Sequence, residues 1–166
     1  MDRRRTTPLT IAISLATQRL DLSRGGAPWK SYSVSTSKHG AGEAKGSLKT
    51  PRGAHVIRAK IGAGAPANAV FRGRRPTGEI YTPALKAQFP DRDWILTRIL
   101  WLSGTEVGRN RLGNVDTMRR YIYIHGMPDS EPLGVPASIG CIRMRNRDIV
   151  ELFDLVPPYT PVDIRE

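Results

Sequence analysis

Leu9, Ile11, Ile13 and Leu15 alternate with Thr10, Ala12, Ser14 and Ala16, a period of two that predicts a strand with one buried face. "QRLDLSR" and "WKSYSVST" repeat the pattern on either side of the turn "GGAP", and links this short predict antiparallel pairing. A polar, Gly-rich loop, "HGAGEAKGSLKTPRG", leads to a further strand, "AHVIRAKI". Thr50-Pro51-Arg52-Gly53 within it is expected to be a structural turn. Residues 62–93 show no period and are expected to form a long loop, a candidate lid. "WILTRILWL" (94–102) is an apolar run suited to a central strand. Residues 103–120 make a second polar excursion before "YIYIHG", a short alternating strand ending at His125. Ile149, Leu152, Phe153 and Val156 recur as one face of a helix over Asn146–Val156, with Asn146 as its cap and Pro157-Pro158 as its stop. "TPVDIRE" is the last expected strand. The pattern as a whole predicts one domain over 1–166, core about 9–164, all-β in class: a mostly antiparallel β-sandwich with one or two short helices.

Charge adds a question about partners. The net charge of +11 and pI near 10.5 suit nucleic acid, anionic wall polymer or a membrane surface, or serve only solubility. Two basic clusters, "RGRR" (72–75) and "RMRNR" (143–147), belong to no nucleic-acid motif, and the aromatics do not interleave with the cations as a stacking platform requires. Nucleic acid is therefore disfavoured. No stretch has the length of a membrane span. Basic residues precede Leu9 as in an export signal, but the alternation that follows is a strand rather than a continuous apolar block, so no signal is expected in this chain.

The single cysteine, Cys141, excludes an internal disulfide and a multi-cysteine zinc site. His39 and His55 have no ligand partner nearby in sequence, and no metal is expected. An unpaired cysteine is either an inert core filler or a reactive thiol, and the residues alone leave both open. The functional reading has His125 as proton acceptor at a strand end, with the carbonyl of Gly126 able to fix its tautomer. Gly140 frees the backbone so that the amides of Ile139, Gly140 and Cys141 can converge beside the sulfur as an oxyanion hole.

"IHG", a spacer, and then "SIGCIRMRN" resemble the signature of the L,D-transpeptidase (YkuD-type) catalytic domain. "LTIAISLATQRLDL", "YSVSTSKHG", "KTPRGAHVI" and "VPPYTPVDI" are similar to that family's other segments in order. The resemblance implies a Cys141 nucleophile and a His125 base oriented by Gly126. It further implies acylation on a peptidoglycan stem tetrapeptide at its third residue, release of D-Ala, and transfer to a side-chain amine in a 3→3 cross-link. Hydrolysis of the same acyl-enzyme is the nearest alternative, and a non-catalytic wall- or polyanion-binding module is the alternative of another class. Many members carry His where this chain has Ile139. Arg143 is a candidate substrate-binding residue or the partner of Asp148 or Asp154; Ser138 could touch substrate or shape the turn. The implied location is the periplasm or cell envelope, with the cytoplasm as alternative; no cofactor is implied, and the oligomeric state is left open.

Overall fold

The computed structural model describes residues 7–166, so the basic residues at the extreme N-terminus lie outside the described part. The strands are β1 (Leu9–Ser14), β2 (Arg19–Arg24), β3 (Ala27–Ser33), β4 (Gly53–Ile61), β5 (Ala69–Arg72), β6 (Arg75–Ile80), β7 (Ile95–Gly104), β8 (Tyr123–Gly126), β9 (Ile142–Met144) and β10 (Pro161–Arg165). Two short helices, α1 (Pro83–Gln88) and α2 (Asn146–Leu155), complete the all-β architecture. Seven strand pairs are antiparallel; β1–β10 and β8–β9 are parallel.

The predicted alternation of β1 is observed: Ile11 and Ile13 are buried and their neighbours are not. Gly25 and Gly26 join β2 to β3 at φ +61° and +81°, the pair of positive values that a tight hairpin turn with the right twist requires. From β3 the ladder runs through β2, β1, β10 and β4 to β7, where it branches to β8 and to the β5–β6 hairpin. Beyond β8 and β9 it meets its own beginning. Ser35, just past β3, exchanges both backbone hydrogen bonds with Arg143 of β9, at 3.0 and 2.9 Å. The two faces of the expected sandwich are thus one curled sheet whose ends join. Side chains from β1, β2, β10, β4, β7, β8, β9 and α2 share the main core.

Strand β7 has pairing on both edges and cover on both faces, which explains its unbroken apolar run. Leu100 and Leu102 point into the main core with Leu152 and Phe153 of α2. Ile99 points the other way, into a smaller cluster with Ala69, Phe71, Tyr123 and Cys141. That second face carries the chemistry.

Two expectations are corrected. Residues 62–93 are not a structureless loop: they hold the β5–β6 hairpin and α1, whose strand residues Ala69, Val70 and Phe71 are buried. The hairpin has a register irregularity and a second strand with no buried residue, so no clean period marks it in sequence. The helix after the cysteine starts and ends close to its expected limits, but Asn146 is its first helical residue and not its cap. Arg145 occupies the cap position without a side-chain bond, since a guanidinium has no acceptor for the helix amides, and the Asn146 side chain is committed to Thr97 and Asn68.

Candidate active site

β8 and β9 lie parallel with His125 opposite Arg143. Period two then sends Ile122, Ile124, Ile142 and Met144 into the main core, and Tyr123, His125, Cys141 and Arg143 to the opposite face. The sequence-predicted nucleophile and base thus stand on one face of adjacent segments of the sheet.

His125 is fully buried, and its Nδ1–H donates to the Gly126 carbonyl at 2.6 Å. This backbone acceptor fixes the tautomer with the lone pair on Nε2, an atom that is buried and has no hydrogen-bond partner among the described residues. Burial lowers the imidazole pKa and outweighs the carboxylate of Asp93, which acts to raise it. The ring is therefore neutral and ready to accept a proton.

Gly126 cannot be replaced by a larger residue without displacement. A Cβ there would collide with Asn146 Oδ1, lie 2.5 Å from the Leu96 carbonyl and 3.1 Å from Thr97 Cβ. The crowding comes from a bulge in β7. Leu96 and Ile99 pair with Gly126 and His125, and residues 97–98 are left over between them. Thr97 adopts φ +74°, a strained value for a β-branched residue. Its hydroxyl donates to Asn146 Oδ1 at 2.7 Å and accepts from the Asn68 amide at 3.0 Å, while Asn146 Nδ2 donates to Asn68 Oδ1 at 2.8 Å. Three polar residues thus brace the peptide that orients His125.

The Cys141 thiol donates to the Tyr121 carbonyl and accepts from the Tyr123 amide, both at 3.3 Å. It makes no hydrogen bond to His125 in this state. Burial pushes the thiol pKa up to about 12 against the lowering effect of the Tyr123 N–H. Neutral thiol beside neutral imidazole is the resting arrangement, not a thiolate–imidazolium pair.

The turn before Cys141 is held from three sides. Gly140 sits at φ +135°, a conformation that favours glycine. Its carbonyl accepts from Thr50 Oγ1 at 2.9 Å, so the expected structural turn at 50–53 reaches the nucleophile. Ser138 Oγ accepts from the Gly140 amide at 3.2 Å and donates to the Cys141 carbonyl at 2.5 Å, which is the turn-shaping role. Of the three amides expected to converge, Gly140's is therefore engaged by Ser138. Those of Ile139 and Cys141 donate to no protein group among the described residues. Ile139 is 45% exposed and borders a 230 Å³ cavity with Lys38, Asp93, Trp94, Glu131 and Arg143.

Arg143 pairs with Asp93 at 3.1 Å and Glu131 at 3.6 Å, and not with the Asp148 or Asp154 named as alternatives. Its two carboxylates come from loops that the residue pattern does not bring together.

Arg120, Tyr121 and Tyr123 were not singled out in sequence. The Arg120 guanidinium donates to the carbonyls of Gly42 and Lys49 and to Ser47 Oγ, tying down the loop beneath the nucleophile turn. No sequence signal marks it. The tyrosines did have one: in "YIYIH" they share the parity of His125.

These features define a cysteine–histidine site on a closed, mostly antiparallel sheet. The family description "L,D-transpeptidase catalytic domain" (YkuD) matches residues 8–164, and the chain belongs to that family. The putative L,D-transpeptidase YkuD of Bacillus licheniformis is 44% identical over 46 residues, 28% of this chain and 28% of that protein. An L,D-transpeptidase from Mycobacterium smegmatis is similar in fold, with TM-score 0.57 at 17% identity, covering 96% of this chain and 59% of its own. L,D-transpeptidase 3 from Mycobacterium tuberculosis, in complex with a faropenem-derived adduct, gives TM-score 0.60 at 15% identity, with 96% and 61% covered. This chain thus spans less than two thirds of either solved chain.

Proposed function

We propose that this domain is a cysteine-dependent acyltransferase acting on peptidoglycan peptide stems. The observation that carries the reading is the buried Nε2 of His125, without a hydrogen-bond partner among the described residues, on a ring held through Nδ1 by its neighbour's carbonyl and on the same face as Cys141. A buried polar atom without a partner is costly in a merely structural site and useful in a site that receives a proton.

The third-residue carbonyl of a stem tetrapeptide enters beside the sulfur. Cys141 turns from the Tyr121 carbonyl toward Nε2, gives up its proton, and attacks the carbonyl carbon. Proton transfer coincides with attack because the thiol is not ionised at rest. The amides of Ile139 and Cys141 receive the oxyanion. His125 returns the proton to the departing D-Ala amine as the C–N bond breaks, leaving a thioester. An incoming side-chain amine, deprotonated by the same imidazole, attacks the thioester, forms the 3→3 bond and frees the thiol. Water in place of the amine gives hydrolysis.

The family works on the cell envelope, and the net charge of +11 suits retention on anionic wall polymer. No helix among the described residues is long and apolar enough to cross a membrane.

Intact-mass measurement after incubation with a carbapenem tests the nucleophile. One adduct per chain is expected, absent in Cys141→Ala; an equal adduct in the variant would refute the assignment. Product analysis of stem tetrapeptide with and without an amine acceptor separates cross-linking from hydrolysis, and no D-Ala release in either case counts against both.

A further inference from the structure

Arg74 stands at the turn of the β5–β6 hairpin, with Gly73 and Arg74 at φ +54° and +64°. The hairpin brings it over the face that carries Cys141. Its guanidinium carbon lies 4.9 Å from the Trp101 ring centre and 4.6 Å from that of Tyr121. Its Nη1–H donates to the Tyr123 hydroxyl at 3.1 Å. Trp101 is itself fixed, edge-on to Tyr123 at 5.8 Å and donating Nε1–H to the Met118 carbonyl.

Stacking covers the faces of the guanidinium and leaves its edge available. Among the described residues only one of its five donors is used. Among the described residues it has no carboxylate partner, whereas Arg52, Arg92 and Arg143 each have at least one. The phenol that accepts from it does not neutralise it, because burial raises the Tyr123 pKa and keeps the hydroxyl protonated. An uncompensated cation, oriented at the cost of two aromatic rings and a hairpin turn, is the arrangement that receives a carboxylate bidentately.

Its location narrows which carboxylate. The tyrosines that hold Arg74 are the two whose backbone holds the thiol, Tyr121 through its carbonyl and Tyr123 through its amide. Tyr123 therefore links the two groups, with its hydroxyl 3.1 Å from the guanidinium and its amide 3.3 Å from the sulfur. A peptide with its scissile carbonyl on the sulfur carries the next residue's carboxyl one residue step away, about 3.8 Å, and a hydrogen bond adds about 2.9 Å.

We propose that Arg74 is a specificity residue that binds the free C-terminal carboxylate of the donor's leaving amino acid. This rests on the acyl-transfer reading above and adds to it the end of the substrate that is read. The domain then selects donors that terminate one residue past the scissile bond, since extension turns that carboxylate into an amide.

Two synthetic tetrapeptide donors that differ only in a terminal carboxylate or primary amide test the proposal, with release of the terminal residue followed for wild type, Arg74→Gln and Arg74→Lys. Wild type is expected to favour the acid in kcat/KM by about 10- to 100-fold, the range of one charge-assisted hydrogen-bonded contact. Arg74→Gln should bring the ratio near one and Arg74→Lys should restore part of it. Should Arg74→Gln fail to fold, Tyr123→Phe, which frees the guanidinium from its anchor, should lower the same ratio. Equal use of both donors by wild type, or a variant that slows both by one factor, overturns the proposal. A wild type that forms the carbapenem adduct at Cys141 but takes neither donor overturns it as well. A wild type that forms no adduct and takes no donor overturns the acyl-transfer reading itself.

Discussion

Gly126 holds together two demands that pull in different directions. Its carbonyl must face the His125 ring, and its α-carbon must pass between Asn146, Leu96 and Thr97. Gly126→Ala is expected to destabilise the fold by about 1–3 kcal/mol through overpacking and to lower acylation more than tenfold, measured by thermal unfolding and by carbapenem adduct kinetics. An unchanged adduct rate in a folded variant would remove Gly126 from its orienting role. The thiol invites a second measurement. With its pKa pushed up to about 12, it holds on the order of a thousandfold less thiolate at neutral pH than an ordinary cysteine of pKa about 8.5. Alkylation by iodoacetamide should therefore be slow at pH 7 and climb continuously through pH 9. A plateau below pH 8 would reveal a preformed ion pair and contradict the neutral resting state.

Among the elements, β7 and β8 show why some of the site could be read in advance and some could not. The alternation of "YIYIHG" is a local property, so the strand and the side of His125 follow from a few neighbours. The bulge at Thr97 leaves no such trace, since it exists only because β7 must pair with partners on both edges and "WILTRILWL" is apolar throughout. Asn146 was assigned to capping because caps favour that residue type; tertiary bonding to Thr97 and Asn68 took it instead. The carboxylates on Arg143 come from segments distant in sequence, and pairing of that kind has no period. The braced network carries its own prediction. Asn146→Ala takes the acceptor from the Thr97 hydroxyl and the donor from Asn68 Oδ1 and should cost about 1–3 kcal/mol. It should also lower kcat with KM nearly unchanged, because the orientation of His125 relaxes while the substrate surface stays. A pure stability loss with normal kcat would confine the network to folding.

At the scale of the whole molecule, two buried histidines tie stability to pH. His55 Nδ1–H donates to the Gly53 carbonyl and its Nε2 accepts from the Thr117 hydroxyl, and burial lowers its pKa as it does that of His125. The unfolded chain protonates both near the ordinary value of about 6.5, where the folded state does not. Stability from these groups is therefore present above that pH and lost as pH falls below it. Tm should drop from pH 7 to pH 5, and more gently in His55→Gln; a flat profile would contradict the burial of neutral rings.

The joining of Ser35 to Arg143 has a consequence for when the site exists. That seam unites an early part of the chain with a late one, and the three-residue β9 has β8 as backbone partner on one side and the seam on the other, with Ile142 and Met144 in the main core. Contacts so distant in sequence form late in folding, after their loop entropy has been met by the rest of the sheet. Cys141 sits at the start of β9, so a partly folded chain has a thiol but no aligned base or braced turn. Reactivity toward the carbapenem then becomes a clock for the final folding step: in a refolding experiment, adduct formation should lag strand signal and coincide with protection of the Ser35 and Arg143 amides.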